Sequence, residues 1–139
     1  MATNPETIVT DYFKRRVTAL GGYYFKLSDR FTRGVPDCHV TFDRGVFVEM
    51  KEGLWLGPVA TYQKLTIRGA QDHKIRQMCR RARKSACVIS APMRSPENMT
   101  LWVPVAAHRE GRRDFNQYRI AAQGEEQVMK WLGHRKSLI

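Results

Sequence analysis

Apolar positions in this chain recur first at helical spacing and then at every second residue. Val9, Phe13, Val17 and Leu20 form one stripe, flanked by Ile8 and Tyr12, which predicts an amphipathic helix. Asn4 suits its N-cap and Pro5 its first position, and Gly21-Gly22 ends it. Lys14, Arg15 and Arg16 fall toward solvent. Tyr23 to Leu27 reads as a strand, and Ser28 to Gly34 as a polar loop. Val40 and Phe42, then Val46, Phe47 and Val48, are strand formers on either side of Asp43-Arg44-Gly45. A three-residue hairpin loop closed by a left-handed glycine fits that spacing. It predicts Phe42 opposite Val46, His39 opposite Glu49 and Asp37 opposite Lys51. Val46, Val48 and Met50 then face a core, and Asp37, Glu49 and Lys51 share the other face.

The stretch from Glu52 to Gly69 is long and irregular, with Gly53, Gly57 and Pro58 as breakers. Ala70 to Ser85 predicts a helix with Gln71, Ile75, Met78 and Ala82 inward and Cys79 alongside. Ala86 to Ala91 is a short apolar strand suited to the middle of a sheet. Leu101 to Val105 is another, and Pro104 marks it as an edge strand. His108 to Arg113 reads as a charged loop. Gly124 to Arg135 reads as a closing helix with Val128, Trp131 and Leu132 inward. The sum is an α/β domain spanning 1–139, a mixed central sheet flanked by helices on both faces.

Charge changes the picture. Lys and Arg number 24 against 13 Asp and Glu, a formal net charge of +11. A balance that basic favours a polyanionic partner, most often nucleic acid. No apolar run approaches a membrane span and Met1-Ala2-Thr3-Asn4 has no signal-peptide layout, so a cytoplasmic protein is expected. Cys38, Cys79 and Cys87 are odd in number, widely spaced and without a CxxC pair. They support neither a disulfide framework nor a zinc site.

The face carrying Asp37, Glu49 and Lys51 needs a chemical reason. Adjacent carboxylates repel and resist desolvation. Mg²⁺, with Mn²⁺ as a substitute, removes both problems, because it takes one or two carboxylates and keeps several waters. It also acidifies a water and neutralises charge on a scissile phosphate, and a lysine beside it can hold or deprotonate that water. The plainer alternative is a cross-strand ion pair on a solvated face. Glu6 sits on the inward stripe of the first helix, either as a dipole partner or as a further carboxylate of the same site. His39 shares the face and reads as a half-buried sheet residue. Lys74, Arg76, Arg80, Arg81, Arg83 and Lys84 make the second helix densely basic. Trp55, Tyr62, Lys64 and Arg68 interleave rings and cations, with Arg30 and Arg33 just before the acids. These suit phosphate contacts and base stacking, or simply a solvated surface and a packed-down loop.

Pro36-Asp37 followed by Glu49-Met50-Lys51 resembles the PD-(D/E)xK nuclease signature. Gly34-Val35-Pro36-Asp37, Phe47-Val48-Glu49-Met50-Lys51 and Gln71 resemble its virus-type replication-repair branch, VRR-NUC, over about Glu6 to Ala91. The resemblance implies a restriction-endonuclease-like core and metal-dependent hydrolysis of DNA phosphodiesters. It implies Mg²⁺ held by Asp37 and Glu49 with the Met50 carbonyl, Glu6 as another carboxylate, Lys51 acting on the water and Gln71 near the lysine. Stand-alone members of this size are typically viral homodimers that cut branched DNA such as four-way junctions, which implies phage origin and the host cytoplasm. It implies neither a membrane nor a small-molecule cofactor. Two rivals remain: a non-catalytic basic nucleic-acid-binding protein, and a metal-dependent hydrolase acting on RNA.

Overall fold

In the computed structural model of the protein, residues 4–27, 34–53, 62–64, 67, 69–105 and 117–135 are described. The first helix starts where its cap predicts. Asn4 Oδ1 accepts a hydrogen bond from the Glu6 N–H at 2.8 Å, and α1 runs Pro5–Ala19. Val9, Phe13 and Val17 are its buried stripe. The remaining elements are β1 (Tyr23–Lys26), β2 (Cys38–Thr41), β3 (Gly45–Glu52), β4 (Tyr62–Lys64), α2 (Gly69–Arg81), β5 (Ala86–Ala91), β6 (Thr100–Pro104), β7 (Gln117–Gln123) and α3 (Glu125–Trp131).

Among the described residues the strands form one seven-stranded sheet in the order β1-β2-β3-β5-β6-β7-β4. Only β3 and β5 run parallel; the other neighbours are antiparallel. The sheet is therefore mixed, as expected, and β5 lies at its centre with all six residues buried. Helices cover both faces. On one, α1 and α3 pack Val9, Phe13, Val17, Val128, Met129 and Leu132 over Val46, Val48, Met50, Cys87 and Ile89. On the other, Ile75 of α2 packs on Ala86, Val88, Trp102 and Tyr118. Alternation along β3 thus sends Val46, Val48 and Met50 to the α1 side and leaves Phe47, Glu49 and Lys51 on the α2 side.

Several expectations are corrected. The hairpin keeps a three-residue loop, but it spans Phe42 to Arg44. Thr41 pairs with Gly45, Val40 with Val46 and His39 with Phe47. Gly45 is not left-handed; it lies in the strand beneath the His39 ring, where a Cβ would come within 2.6 Å of ring atoms. Each partner has moved two positions, so every side chain keeps its expected face. The irregular stretch contains β4, paired with β7. The β6 strand is not an edge: β7, unmarked by any strong alternation, lies outside it. Pro104 closes β6 opposite Tyr118, where its missing N–H interrupts no central ladder. The second helix ends at Arg81 and Ala82 is exposed, because Lys84 takes a left-handed φ of 58° and turns the chain into β5.

The inward face of α2 is rotated from the expected one. Its buried residues are Asp72, Ile75 and Arg76. Arg76, expected among the solvent cations, donates from Nε to Asp72 Oδ2 at 3.0 Å and from its two terminal nitrogens to the Val105 and Gln117 carbonyls. The Tyr118 hydroxyl donates to Asp72 Oδ1 at 2.8 Å. Removing the negative member of this pair takes a carboxylate from beside a buried guanidinium. Asp72→Asn should therefore cost about 3 kcal/mol in urea unfolding, with an unchanged denaturant slope. Arg81→Gln, at the exposed end of the same helix, should stay within about 0.5 kcal/mol of wild type.

Candidate functional site

The turn before β2 delivers the first acid. Gly34 has φ +81°, and a Cβ there would lie 2.3 Å from the Ala70 carbonyl oxygen and 3.0 Å from Gln71 N. Only glycine lets this turn close against the start of α2. Asp37 follows, just before β2 begins at Cys38. Its backbone carbonyl accepts from Leu27 N, and its Oδ2 accepts from Met50 N at 2.8 Å. Continuing the register of Cys38 with Val48 sets Asp37 opposite Glu49.

The same hydrogen bond fixes the direction of the Met50 carbonyl. Phe47 N–H bonds toward β5, to Ser85 O, so odd residues of β3 point their backbone groups at β5 and even ones at β2. The Met50 carbonyl therefore points past the end of β2, to the edge where Asp37 sits.

Glu49 is 1% exposed. Among the described residues its Oε1 is buried without a hydrogen-bond partner, and its Oε2 lies 3.7 Å from Lys51 Nζ. Burial, then the charge of Asp37, and to a smaller extent that of Glu6, raise its pKa from 4.5 to about 8; the Lys51 ammonium pulls the other way. At 3.7 Å, and with a quarter of its side chain in solvent, that ammonium does not offset burial of a carboxylate. Glu6 is half-buried at the start of α1 and lines an open cleft of about 450 Å³ with Asp37, Thr10, Tyr24 and Lys26. Gln71 is half-buried at the start of α2, and its Oε1 too is buried without a partner among the described residues.

Asp37, Glu49 and Lys51 thus meet at one end of the sheet, with Glu6 lining a cleft beside Asp37 on the α1 side and Gln71 starting α2 against the turn at Gly34. Among the described residues no three His, Cys, Asp or Glu side chains are grouped to hold a metal unaided. Two carboxylates, a carbonyl and retained waters are nonetheless a donor set suited to Mg²⁺. The orphaned Glu49 Oε1 is an acceptor that a cation would satisfy, so the residues fit such an ion.

The basic candidates divide. Arg80, Arg81 and Arg83 are exposed and Lys74 is half-exposed. Arg30, Arg33 and Arg68, like Trp55, lie outside the described residues, as do the side chains of Tyr62 and Lys64. His39 is half-buried with its ring edge-to-face on Phe47 at 4.7 Å, a packing role as expected. Not foreseen was a polar row continuing from Lys51. Lys51 pairs with Ser90 and Ser90 with Thr100; Ser90 Oγ accepts from Trp102 Nε1, and Thr100 Oγ1 is buried without a partner. Ser90 and Thr100 lie in apolar strands, and only the register brings them beside the lysine.

A mixed sheet between helices, with two acids and a lysine on adjacent strand ends, is a restriction-endonuclease-like α/β core. The chain is similar in fold to a solved VRR-NUC domain, at 27% identity and a TM-score of 0.51, over 68% of this chain and 91% of that one. No family model matches the sequence, and no curated protein matches it.

The raised pKa of Glu49 has a consequence for stability. The folded state binds this proton more tightly than the unfolded chain does. The group is therefore harmless below about pH 4.5 and increasingly destabilising from there to about pH 8, beyond which the penalty is constant. In EDTA, Glu49→Gln should melt above wild type by a gap that widens from pH 5 to pH 8, reaching roughly 5–10 °C. A gap constant with pH would mean that Glu49 ionises as it does in water.

Proposed function

We propose that this chain is a divalent-metal-dependent DNA endonuclease, selective for branched DNA such as a four-way junction or flap. The observation that carries the reading is Glu49. A carboxylate 1% exposed, with one oxygen unpartnered, beside Asp37 and Lys51 is costly unless it holds something. The fold likeness to a VRR-NUC domain supports the same reading.

In this proposal Asp37 and Glu49 hold Mg²⁺, or Mn²⁺ in its place, with the Met50 carbonyl and with Glu6 as a further carboxylate. The ion would supply charge neutralisation at the scissile phosphate and a more acidic water. Lys51, partly exposed at the rim, orients or deprotonates the attacking water, or stabilises charge developing on phosphate. Gln71 offers its amide to the phosphate or the water. Lys74, Arg80, Arg81 and Arg83 hold the DNA backbone, together with Arg30, Arg33, Lys64 and Arg68. Homodimers, as in the stand-alone phage proteins that the sequence resembles, would present two such sites to the arms of a junction.

A cleavage panel of duplex, flap and four-way junction with Mg²⁺ tests the activity. Asp37→Asn and Glu49→Gln should abolish cleavage while binding holds or tightens, since a carboxylate facing phosphate is removed. Binding without metal-dependent cleavage in the wild type would instead identify a non-catalytic binder. Lys51→Ala should lose most turnover yet keep Mg²⁺ affinity. Lys51→Arg then separates the roles, because arginine keeps the charge but is effectively never a base.

Changing Arg80, Arg81 and Arg83 together to Gln should weaken DNA binding and flatten its dependence on salt, by about one unit of slope for each phosphate no longer neutralised. Wild-type affinity and slope in that variant would place the DNA elsewhere.

A further inference from the structure

Three large apolar side chains are exposed among the described residues, and two of them are neighbours. Tyr23 is 64% and Phe25 52% exposed. They are two residues apart on β1, so they point to one face of the sheet. Scattered surface rings need no explanation; a pair on one face of an edge strand does.

That face is the one carrying Glu49 and Lys51. Phe25 pairs with His39, and His39 with Phe47, so the three stand in one row. The next row toward the strand ends is Asp37 opposite Glu49. Tyr23 lies in the row behind, with Thr41 and Gly45, residues too small to rise above a ring. The His39 ring lies over Gly45 and meets Phe47 edge-on. Beyond Phe47 a shallow groove continues between β3 and α2, lined by Met78, Gln77 and Arg81. The second helix covers β5 and β6 and leaves this corner of the sheet open.

We propose that this aromatic shelf stacks unpaired bases, so that the strand to be cut must leave its duplex next to the scissile phosphate. Strands rise about 3.3 Å per residue. Phe25 and Tyr23 therefore lie about 7 and 14 Å from the carboxylate row, or roughly two and four base steps at 3.4 Å per step. Rings stack on any base, and cations alongside hold the phosphates; Arg81 lines the groove. A second copy of this chain is the poorer occupant. Each copy carries +11, and the shelf borders basic surface that a like-charged protein would have to approach. The inference rests on the proposed nuclease site only for the place of the cut, since stacking itself needs no metal.

The test is binding in EDTA, by fluorescence anisotropy, of a labelled oligothymidylate and of a blunt duplex. Tyr23→Ala and Phe25→Ala should each weaken single-strand binding roughly tenfold. The duplex affinity and the salt slope should stay put, because neither ring neutralises a phosphate. Tyr23→Leu and Phe25→Leu keep apolar bulk on the strand and should lose as much as alanine does, whereas Phe25→Trp should bind at least as well as wild type. Unchanged single-strand affinity, or equal losses on both ligands, overturns the proposal. So does a shift of the variants to a smaller species in size-exclusion chromatography, which would assign the shelf to a second copy. Absence of metal-dependent cleavage by the wild-type protein, with these binding results intact, would count against the proposed metal site alone, and failure here leaves that site standing.

Discussion

A carboxylate kept out of water is the constraint around which this structure is arranged. Glu49 occupies a strand position flanked by β2 and β5, where burial and the charge of Asp37 both oppose ionisation. A glutamine of the same shape would be more comfortable there. Retaining the acid means carrying a local instability that only a cation, or a proton, relieves. Anything that binds the folded state and satisfies Glu49 stabilises the fold by mass action. On the proposed function, metal binding and folding would be linked through this one side chain, and the Lys51 ammonium, 3.7 Å away and a quarter exposed, would be left for chemistry at the rim.

The surrounding elements are pinned where they leave that position accessible. The Asp72–Arg76–Tyr118 cluster ties α2 to β7 and to the chain after β6, so α2 lies over β5 and β6 and not over β1 and β2. Gly34 then lets the turn close against Ala70 and Gln71. One buried ion pair in this way sets both where the start of α2 meets the turn at Gly34 and how much of the neighbouring sheet corner α2 leaves uncovered. Its energetic return is small, since buried pairs offset little more than their own desolvation. Its effect lies in orientation.

How much of this the sequence carried depended on the kind of signal. The first helix was legible because its cap, proline, stripe and terminating glycines agree. The central strand was legible because six apolar or small residues between a basic run and a turn suit few other places. The shared face of Asp37, Glu49 and Lys51 survived a wrong register, because a slip of two residues leaves a period-two pattern intact. The outer strand β7 was not legible: its burial is mostly partial along Gln117 to Gln123, and its place depends on β6, whose Pro104 pointed to an edge. Arg76 was misread for a related reason. A cation on a basic helix looks solvated until Asp72 and Tyr118 are known to await it. Glu6 and Gln71 could be placed on helix starts, but the cleft that Glu6 shares with Asp37 and the seating of Gln71 against the turn at Gly34 are properties of how α1 and α2 cross opposite faces of the sheet.

The charge distribution divides labour in a way that follows from range. A net +11 acts on a polyanion over about a Debye length, roughly 8–10 Å at physiological salt, and draws it in without regard to sequence. Within the last few ångströms the sign would reverse at Asp37 and Glu6, and at Glu49 once the pH passes its raised pKa or a cation displaces its proton. The backbone can be held firmly nearby and still be kept from the acids. A divalent cation reconciles the two fields, being the one species attracted to both carboxylates and phosphate. In the proposed nuclease, affinity would then belong to the exposed arginines of α2, which need no metal, and commitment to cleavage to the buried acid, which does.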